Sequence, residues 1–215
     1  MYDNFRYQGL RAKLIEKLKK KGISDDNVLR VMNVIPRHMF FDKAFHDKFA
    51  YEDIAFPIGE GQTISQPYTV AFQTSLLEVK KRDKILEIGT GCGYQTAVLC
   101  ELEARVFTIE RQRLLFQQSD RLLRAMGYRA KTFFGDGFKG KEVFAPFDGI
   151  IVTCGAPFVP EALKYQLKIN GRMVIPVGGS DAQQMKLIVR LDKDNFSEND
   201  YGEFSFVPML KDKSK

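Results

Sequence analysis

Residues 84–99 read KILEIGTGCGYQTAVL. An apolar run from Ile85 to Ile88 enters a turn carrying Gly89, Gly91 and Gly93, and a helical pattern starts at Tyr94. A buried strand that passes through a glycine turn into a helix is the arrangement with which an open α/β sheet receives a nucleotide. Glycine serves such a turn twice, adopting tight backbone angles and letting a ligand approach the main chain. The spacing is GxGxG, and Tyr94 stands where a dinucleotide fingerprint would place its last glycine, which speaks against NAD. On its own the turn also fits a purely structural role, so its meaning depends on what surrounds it.

Downstream, RVFTIE (105–110), AKTFFGDG (130–137), FDGIIVTC (147–154) and RMVIPVG (172–178) are short apolar runs. Helical stretches separate them: one from Tyr94, one ending at Met126 and one near 159–168. Continuous apolar strands alternating with helices predict a mostly parallel sheet covered on both faces. After Gly179 come QMKLIVRLD (184–192) and YGEFSFVPML (201–210) without a helix between them, which predicts an antiparallel C-terminal end to the sheet. The closing KDKSK (211–215) is expected to fray.

Upstream, Leu10, Leu14, Ile15 and Leu18 form an apolar stripe at helical spacing, with Arg11, Lys13, Lys17 and Lys19 to Lys21 facing elsewhere and Gly22 as the stop. SDDNVLRVMNVI (24–35) reads as a second helix, with Ser24 as N-cap and Pro36 closing it. Residues 41–66 are irregular and aromatic-rich, too long and too apolar for an idle linker, and a helical pattern then runs from Pro67 to Val79. The expected organisation is a single domain: N-terminal helices and a covering loop over 1–66, a nucleotide-binding core over 67–180, and C-terminal strands and tail over 181–215.

The chain has 215 residues, 44% of them hydrophobic, enough for one sizeable core. No apolar stretch reaches the about 18 residues of a membrane span, and the N-terminus lacks a signal-peptide core, so a cytoplasmic protein with no membrane contact is expected. Cys92, Cys100 and Cys154 are an odd number, with no CxxC and no His at ligand spacing, which predicts reduced thiols and no metal. The net charge of +6 hints at nucleic acid until it is located: residues 1–40 hold nine Lys/Arg against four Asp/Glu, so they carry +5 of it. Basicity confined to one segment reads as a solvated helix face, and no nucleic-acid partner is expected. His38 and His46 lie outside the nucleotide motifs and read as surface or structural histidines.

Three acids bear on the glycine turn. Glu110 ends the second core strand, 21 residues after Gly89, where a carboxylate accepts hydrogen bonds from both ribose hydroxyls. Asp136, in GDG after the third strand, is placed for an adenine amino group. Either alone also suits a turn or a helix cap, but with the glycines they describe an adenosine pocket across the carboxyl ends of three adjacent strands. Glu87 is a charge inside an apolar strand, costly unless it binds something. A separate stretch, GQTISQPYTVAF (61–72), sets two hydroxyls and two amides between Gly61 and Pro67, with no His, Lys, Cys, Asp or Glu. Ser65 there either caps a helix with Pro67 in its first turn or belongs to a site that works without a base.

An adenosine site with neither a dinucleotide fingerprint nor a GxxxxGK[ST] phosphate loop, in a sheet with an antiparallel end, points to S-adenosylmethionine. The chain resembles the protein-L-isoaspartate O-methyltransferases, which methylate abnormal aspartyl residues in damaged proteins. The resemblance runs through PRHMF (36–40), AYEDIAFPIGEGQTISQPY (50–68), LEIGTGCGYQTAVL (86–99), IER (109–111), GDG (135–137), APFDGIIVT (145–153), QLKINGRMVIPVG (166–178) and FVP (206–208).

The resemblance implies an α/β, Rossmann-like methyltransferase fold, S-adenosyl-L-methionine as cofactor with S-adenosyl-L-homocysteine as product, and damaged proteins and peptides containing isoaspartyl residues as partners. It implies cofactor contacts from Thr63, Ile64, Ser65, Glu87, Gly89, Cys92, Glu110, Arg111, Asp136 and Gly137, to which the glycine turn adds Gly91 and Gly93, and it assigns Ser65 to the active site. The 51–66 segment and FVP are expected to form the substrate groove through Ile58, Gln62, Thr63, Ser65, Val207 and Pro208, partly by main-chain hydrogen bonds. Cys92 stands where a serine is common in the family, TCGAP (153–157) replaces an alanine-rich turn, and the chain stops soon after FVP, where some relatives carry a longer tail. A monomer is the default expectation.

This chemistry accounts for the missing base. The nucleophile is the substrate's own carboxylate, ionised at neutral pH because its pKa lies at about 4. The site has to align it and donate hydrogen bonds to it, for which hydroxyls and main-chain amides suffice. Two other readings stay open. One is an RNA or small-molecule methyltransferase on the same fold, although TCGAP lacks the Asn/Asp-Pro-Pro-aromatic run that grips a planar amino group. The other is a non-catalytic adenosine-binding module whose working surface is the basic N-terminal helix.

Overall fold

The computed structural model describes residues 3–42, 44–179 and 181–214. Asn4 caps α1 (Phe5–Lys20) by accepting the Tyr7 N–H. Leu14, Ile15 and Leu18 of the expected stripe are buried. Arg11, expected in solvent, is buried with them: its guanidinium meets Asp3 at 2.9 Å, the Asn33 carbonyl at 2.6 Å and the Tyr51 hydroxyl at 3.2 Å. A charge is tolerated there because its donors find a carboxylate, a carbonyl and a phenol. Gly22, at φ +95°, ends α1 as expected, and Ile23 folds back to bury itself after donating to the Leu18 carbonyl.

α2 (Asp26–Val34) is capped by Asp25 rather than Ser24. The Asp25 carboxylate accepts the Asn27 and Val28 N–H groups at 3.0 and 3.1 Å, and a charged acceptor at the positive end of a helix outcompetes a hydroxyl one residue earlier. Residues 41–66 are not irregular throughout. A short α3 (His46–Phe49) is followed by an antiparallel hairpin of β1 (Phe56–Gly59) and β2 (Gln62–Ile64). Glu60 and Gly61 both have positive φ, as a two-residue hairpin turn requires. Phe49 stacks on Phe56 at 4.8 Å, tying the hairpin to α3.

α4 (Pro67–Leu77) has Pro67 in its first turn, but Ser65 does not cap it. Asp53, from the covering segment, does so by accepting the Tyr68 N–H at 2.8 Å. His38 is fully buried, bonded through Nδ1 to the Tyr51 hydroxyl at 2.8 Å and stacked on Tyr7. The His46 side chain lies outside the described residues.

The core alternates as expected: β3 (Lys84–Ile88), α5 (Tyr94–Glu101), β4 (Arg105–Glu110), α6 (Arg113–Ala125), β5 (Lys131–Phe134), β6 (Phe147–Val152), α7 (Glu161–Tyr165), β7 (Leu167–Gly178), β8 (Gln183–Arg190) and β9 (Phe196–Phe204). Among the described residues these strands form one seven-stranded sheet in the order β5-β4-β3-β6-β7-β8-β9, parallel as far as β7 and antiparallel beyond. The order reverses at β3, and the crevice beside such a point, at the carboxyl ends of the strands, is where open α/β sheets hold ligands. α7 is shorter than the pattern suggested because Leu167 already pairs with Phe147 in the sheet. The last strand ends at Phe204, not Leu210.

Beyond Phe204 the chain leaves the sheet and returns to Gly155, whose N–H donates to the Val207 carbonyl at 2.8 Å and whose carbonyl accepts from Met209 at 2.7 Å. The tail does not fray as far as residue 214. Ser214 N–H and Oγ both donate to the Arg111 carbonyl at 3.0 Å, and Arg111 Nε returns a bond to the Asp212 carbonyl at 3.0 Å.

Candidate functional site

At the carboxyl ends of β3, β4 and β6 lies a cleft walled by the glycine turn, the end of the hairpin, Thr153 and Cys154, and residues 207–210; together with the space open to solvent at its mouth it spans about 740 Å³. Gly89 has φ +94°, and a Cβ there would sit 2.6 Å from Thr153 Oγ1. Thr153 Oγ1 itself donates to the Gly89 carbonyl at 2.7 Å, which buttons the turn to the end of β6. Gly93 plays another part. It is off the cleft, and a Cβ would lie 3.1 Å from Leu123, so its bareness lets α6 pack close to the start of α5.

Glu110 is 4% exposed and lies against both the turn and the helix that follows. Its Oε2 accepts the Gly91 N–H and its Oε1 the Gln112 N–H, each at 2.8 Å. A carboxylate has about four lone-pair sites, so two of them stay available toward the cleft. Arg111 and Gly137 also line the cleft, but Asp136 does not. Its carboxylate caps the turn Gly137–Lys139, accepting the Phe138 N–H at 2.9 Å, the cap role that its sequence position left open.

Glu87 is likewise kept from the cleft. It is fully buried under the turn, with Oε2 accepting from Thr96 Oγ1 at 2.5 Å and Oε1 without a partner among the described residues. Burial pushes its carboxyl up to about 8, against the pull of the Thr96 hydrogen bond. In this environment the apolar strand tolerates Glu87 because burial favours its protonated form at neutral pH.

Gln62, Thr63, Ile64 and Ser65 line the opposite wall, with Val207 and Pro208 beside them. Ile58 stands behind, packed near Gly91 without lining the cleft. Ser65 Oγ has no hydrogen-bond partner among the described residues, whereas the Ser65 carbonyl accepts from Arg37 Nη2 at 2.9 Å. Arg37 is 1% exposed, donates through Nε to the Ala50 carbonyl at 3.0 Å and lies 4.5 Å from the Tyr94 ring. The sequence reading missed this residue. Its only signal was a cation inside PRHMF, and a side chain that acts through main-chain carbonyls leaves no spacing pattern. Thr153, which also acts through main-chain carbonyls, was missed for the same reason, and Gln95 and Tyr94 line the cleft as well.

Cys92 and Cys154 are in the walls, and burial pushes their thiols up to about 11 and about 12, so they remain protonated. Among the described lining residues there is no His and no Lys, and the charged side chains are Glu110 and Arg111. No group of three His, Cys, Asp or Glu suited to a metal occurs among the described residues. The arrangement offers acceptors for a sugar at one end, and hydroxyl donors with no base at the other.

A family model described as protein-L-isoaspartate (D-aspartate) O-methyltransferase matches residues 10–214. Two curated relatives carry the name protein-L-isoaspartate O-methyltransferase: one from Flavobacterium psychrophilum, 57% identical over the whole of both chains, and one from Christiangramia forsetii, 55% identical over the whole of both. A solved protein-L-isoaspartate O-methyltransferase superposes with a TM-score of 0.84 at 32% identity, over 92% of this chain and 65% of that one. A Plasmodium falciparum protein solved in complex with S-adenosyl-L-homocysteine shares the fold, with a TM-score of 0.82 at 24% identity over 94% and 99% of the two chains.

Proposed function

The chain belongs to the protein-L-isoaspartate (D-aspartate) O-methyltransferase family, and from that premise we infer how its cleft serves the reaction. The protein is an S-adenosylmethionine-dependent carboxyl O-methyltransferase that acts on isoaspartyl residues of damaged proteins. The cofactor fits the residues present. The glycine turn brings bare main chain to the cleft, Glu110 keeps acceptor sites for ribose hydroxyls, and Gly137 lines the wall where a Cβ would collide with Ile88. When bound, S-adenosylmethionine supplies an electrophilic methyl group on a sulfonium.

The chain's own residues have three tasks. Glu110, with Gly89, Gly91, Cys92, Arg111 and Gly137, holds the nucleoside. Ser65 donates a hydrogen bond from Oγ that fixes the substrate carboxylate, and Gln62, Thr63, Val207 and Pro208 shape the space for the extra methylene of the isoaspartyl backbone. The walls supply no base, and an ionised carboxylate needs none. The observation that carries this reading is the pairing, in one cleft, of an anchored ribose-type acid with an unengaged serine hydroxyl.

The partner is a polypeptide containing the damaged residue, and a monomer is the proposed working unit. The three regions 1–66, 67–180 and 181–215 act as one catalytic unit, supported by the packing of α1 on α4 and of α2 on α4 and α5, and by the pairing of β8 with β7. Free thiols at Cys92, Cys100 and Cys154 support a reducing compartment such as the cytoplasm. Among the described residues no helix is long and apolar enough to cross a membrane.

The test is methyl transfer from labelled S-adenosylmethionine to a synthetic isoaspartyl peptide beside its normal aspartyl twin. Label should enter only the isoaspartyl peptide, as a base-labile ester. Equal labelling of both, or of neither, would refute the substrate assignment.

A further inference from the structure

An isoaspartyl residue lies within a chain, so the polypeptide on both sides of it has to leave the cleft. The nucleoside end is closed by Met209 and Leu210 and by the tail bonded to Arg111. The other end continues into an open groove that shares Thr63, Ser65, Thr153 and Val207 with the cleft. We propose that this groove, between α4 and the end of β9, reads a side chain flanking the isoaspartyl residue and favours a bulky apolar or aromatic one. The proposal rests on the cleft being the site of carboxyl methylation.

Both walls of the groove are aromatic. Tyr68 and Phe72 are one turn apart on α4, and Tyr201 and Phe204 face them from β9. Phe204 lies 5.1 Å from Phe72 and is nearly parallel to Tyr68 at 6.5 Å, while Tyr201 meets Phe72 edge-on at 6.4 Å. Tyr201 is still 39% exposed, so an apolar surface is left for an incoming group. Glu203 is the only charged side chain among the described lining residues, which makes selection by apolar contact stronger than selection by charge.

The shelf is also preformed. Asp53 holds the Tyr68 N–H and pairs with Lys21 at 2.5 Å, and the Lys21 ammonium sits 5.5 Å from the Tyr68 ring. Geometry sets the range. Tyr68 to Phe72 advances by about 6 Å along α4, and an extended peptide advances by about 3.3–3.6 Å per residue. The aromatic walls thus run alongside about two residues of an extended peptide.

The experiment uses the full chain and isoaspartyl heptapeptides with serine flanks, in which a single Phe is walked through the three positions on each side. With saturating cofactor, one or two positions should lower KM by about tenfold, the scale of one partly buried aromatic side chain. Tyr201→Ser and Phe72→Ser should each shrink that gain to less than about threefold. Both variants should bind S-adenosyl-L-homocysteine with the parent's Kd, because neither side chain lines the cofactor cleft. A KM indifferent to the position of Phe, or a gain that survives in both variants, overturns the proposal. So does a dimer that Tyr201→Ser dissolves, which would assign the groove to a second copy of the chain. Cofactor binding without methylation of any of these peptides would instead overturn the reading of the reaction, and this inference with it.

Discussion

Replacing Glu110 with Gln probes the proposed ribose contact. Both carboxylate oxygens accept main-chain N–H groups at 2.8 Å, from Gly91 and Gln112, in a position only 4% exposed. An amide has one oxygen, so one of the two N–H groups would face an NH2 instead of an acceptor. Losing a hydrogen bond to a charged group costs about 1.5–3 kcal/mol, and the stranded donor brings the total toward about 2–4 kcal/mol. For a chain of this length that lowers Tm by about 4–16 °C. Ribose hydroxyls would meet a weaker acceptor as well, so the Kd for S-adenosyl-L-homocysteine should rise about 5- to 150-fold. Calorimetric unfolding of the free protein and titration calorimetry with the product measure the two effects separately. A lowered Tm with an unchanged Kd would mean that the carboxylate only staples the turn to the next helix, and the ribose contact would be refuted.

Glu87→Gln should act through pH. The native carboxyl keeps its proton up to about 8, whereas the unfolded one loses it at about 4.3. Between these values the native state binds the extra proton, so the parent loses stability as pH rises. Urea unfolding at pH 5, 6, 7 and 8 should show Glu87→Gln falling less steeply, and parallel curves would contradict the burial argument. Ser65→Ala should lower kcat by about 10- to 150-fold, one charge-assisted hydrogen bond, without abolishing it. Its rate, like the parent's, should rise at about pH 4 and stay flat through neutrality, so a bell centred on neutral pH would indicate a base. Gly91→Val should abolish cofactor binding in a folded protein, because Gly91 holds φ +55° in the cleft wall; retained affinity in an equilibrium titration would move the nucleoside elsewhere.

The sheet was legible because buried parallel strands leave continuous apolar runs, and because GTGCG can follow only a strand that ends at a ligand or at a helix. Glu110 was legible for the same reason: its place at a strand end restricts what it can reach. Asp136 and Glu87 show the limit: the Phe138 N–H and the Thr96 hydroxyl that engage these acids are not implied by spacing. The 56–64 hairpin escaped because its turn is Glu-Gly, a weaker signal than Asn-Gly or Asp-Gly. The β9 boundary slipped because FSFVP has the alternation of a strand while its main chain is diverted to Gly155. Family resemblance located Ser65, but the cation that holds its carbonyl could be found only in three dimensions.

That cation has a bearing on chimeras of this chain. The boundary between Gln66 and Pro67 invites a crossover, since it separates the covering segment from the helix that opens the core. Asp53 spans it by capping α4 through the Tyr68 N–H, and Arg37 braces its near side, gripping the carbonyl of Ser65 while its guanidinium lies 4.5 Å from the Tyr94 ring of the core. A graft that brings in a foreign segment ending at residue 66 keeps its register only if the donor carries both an arginine and an acid at those two places. Without them, the product would inherit an intact nucleoside cleft and a serine set at the wrong height above it.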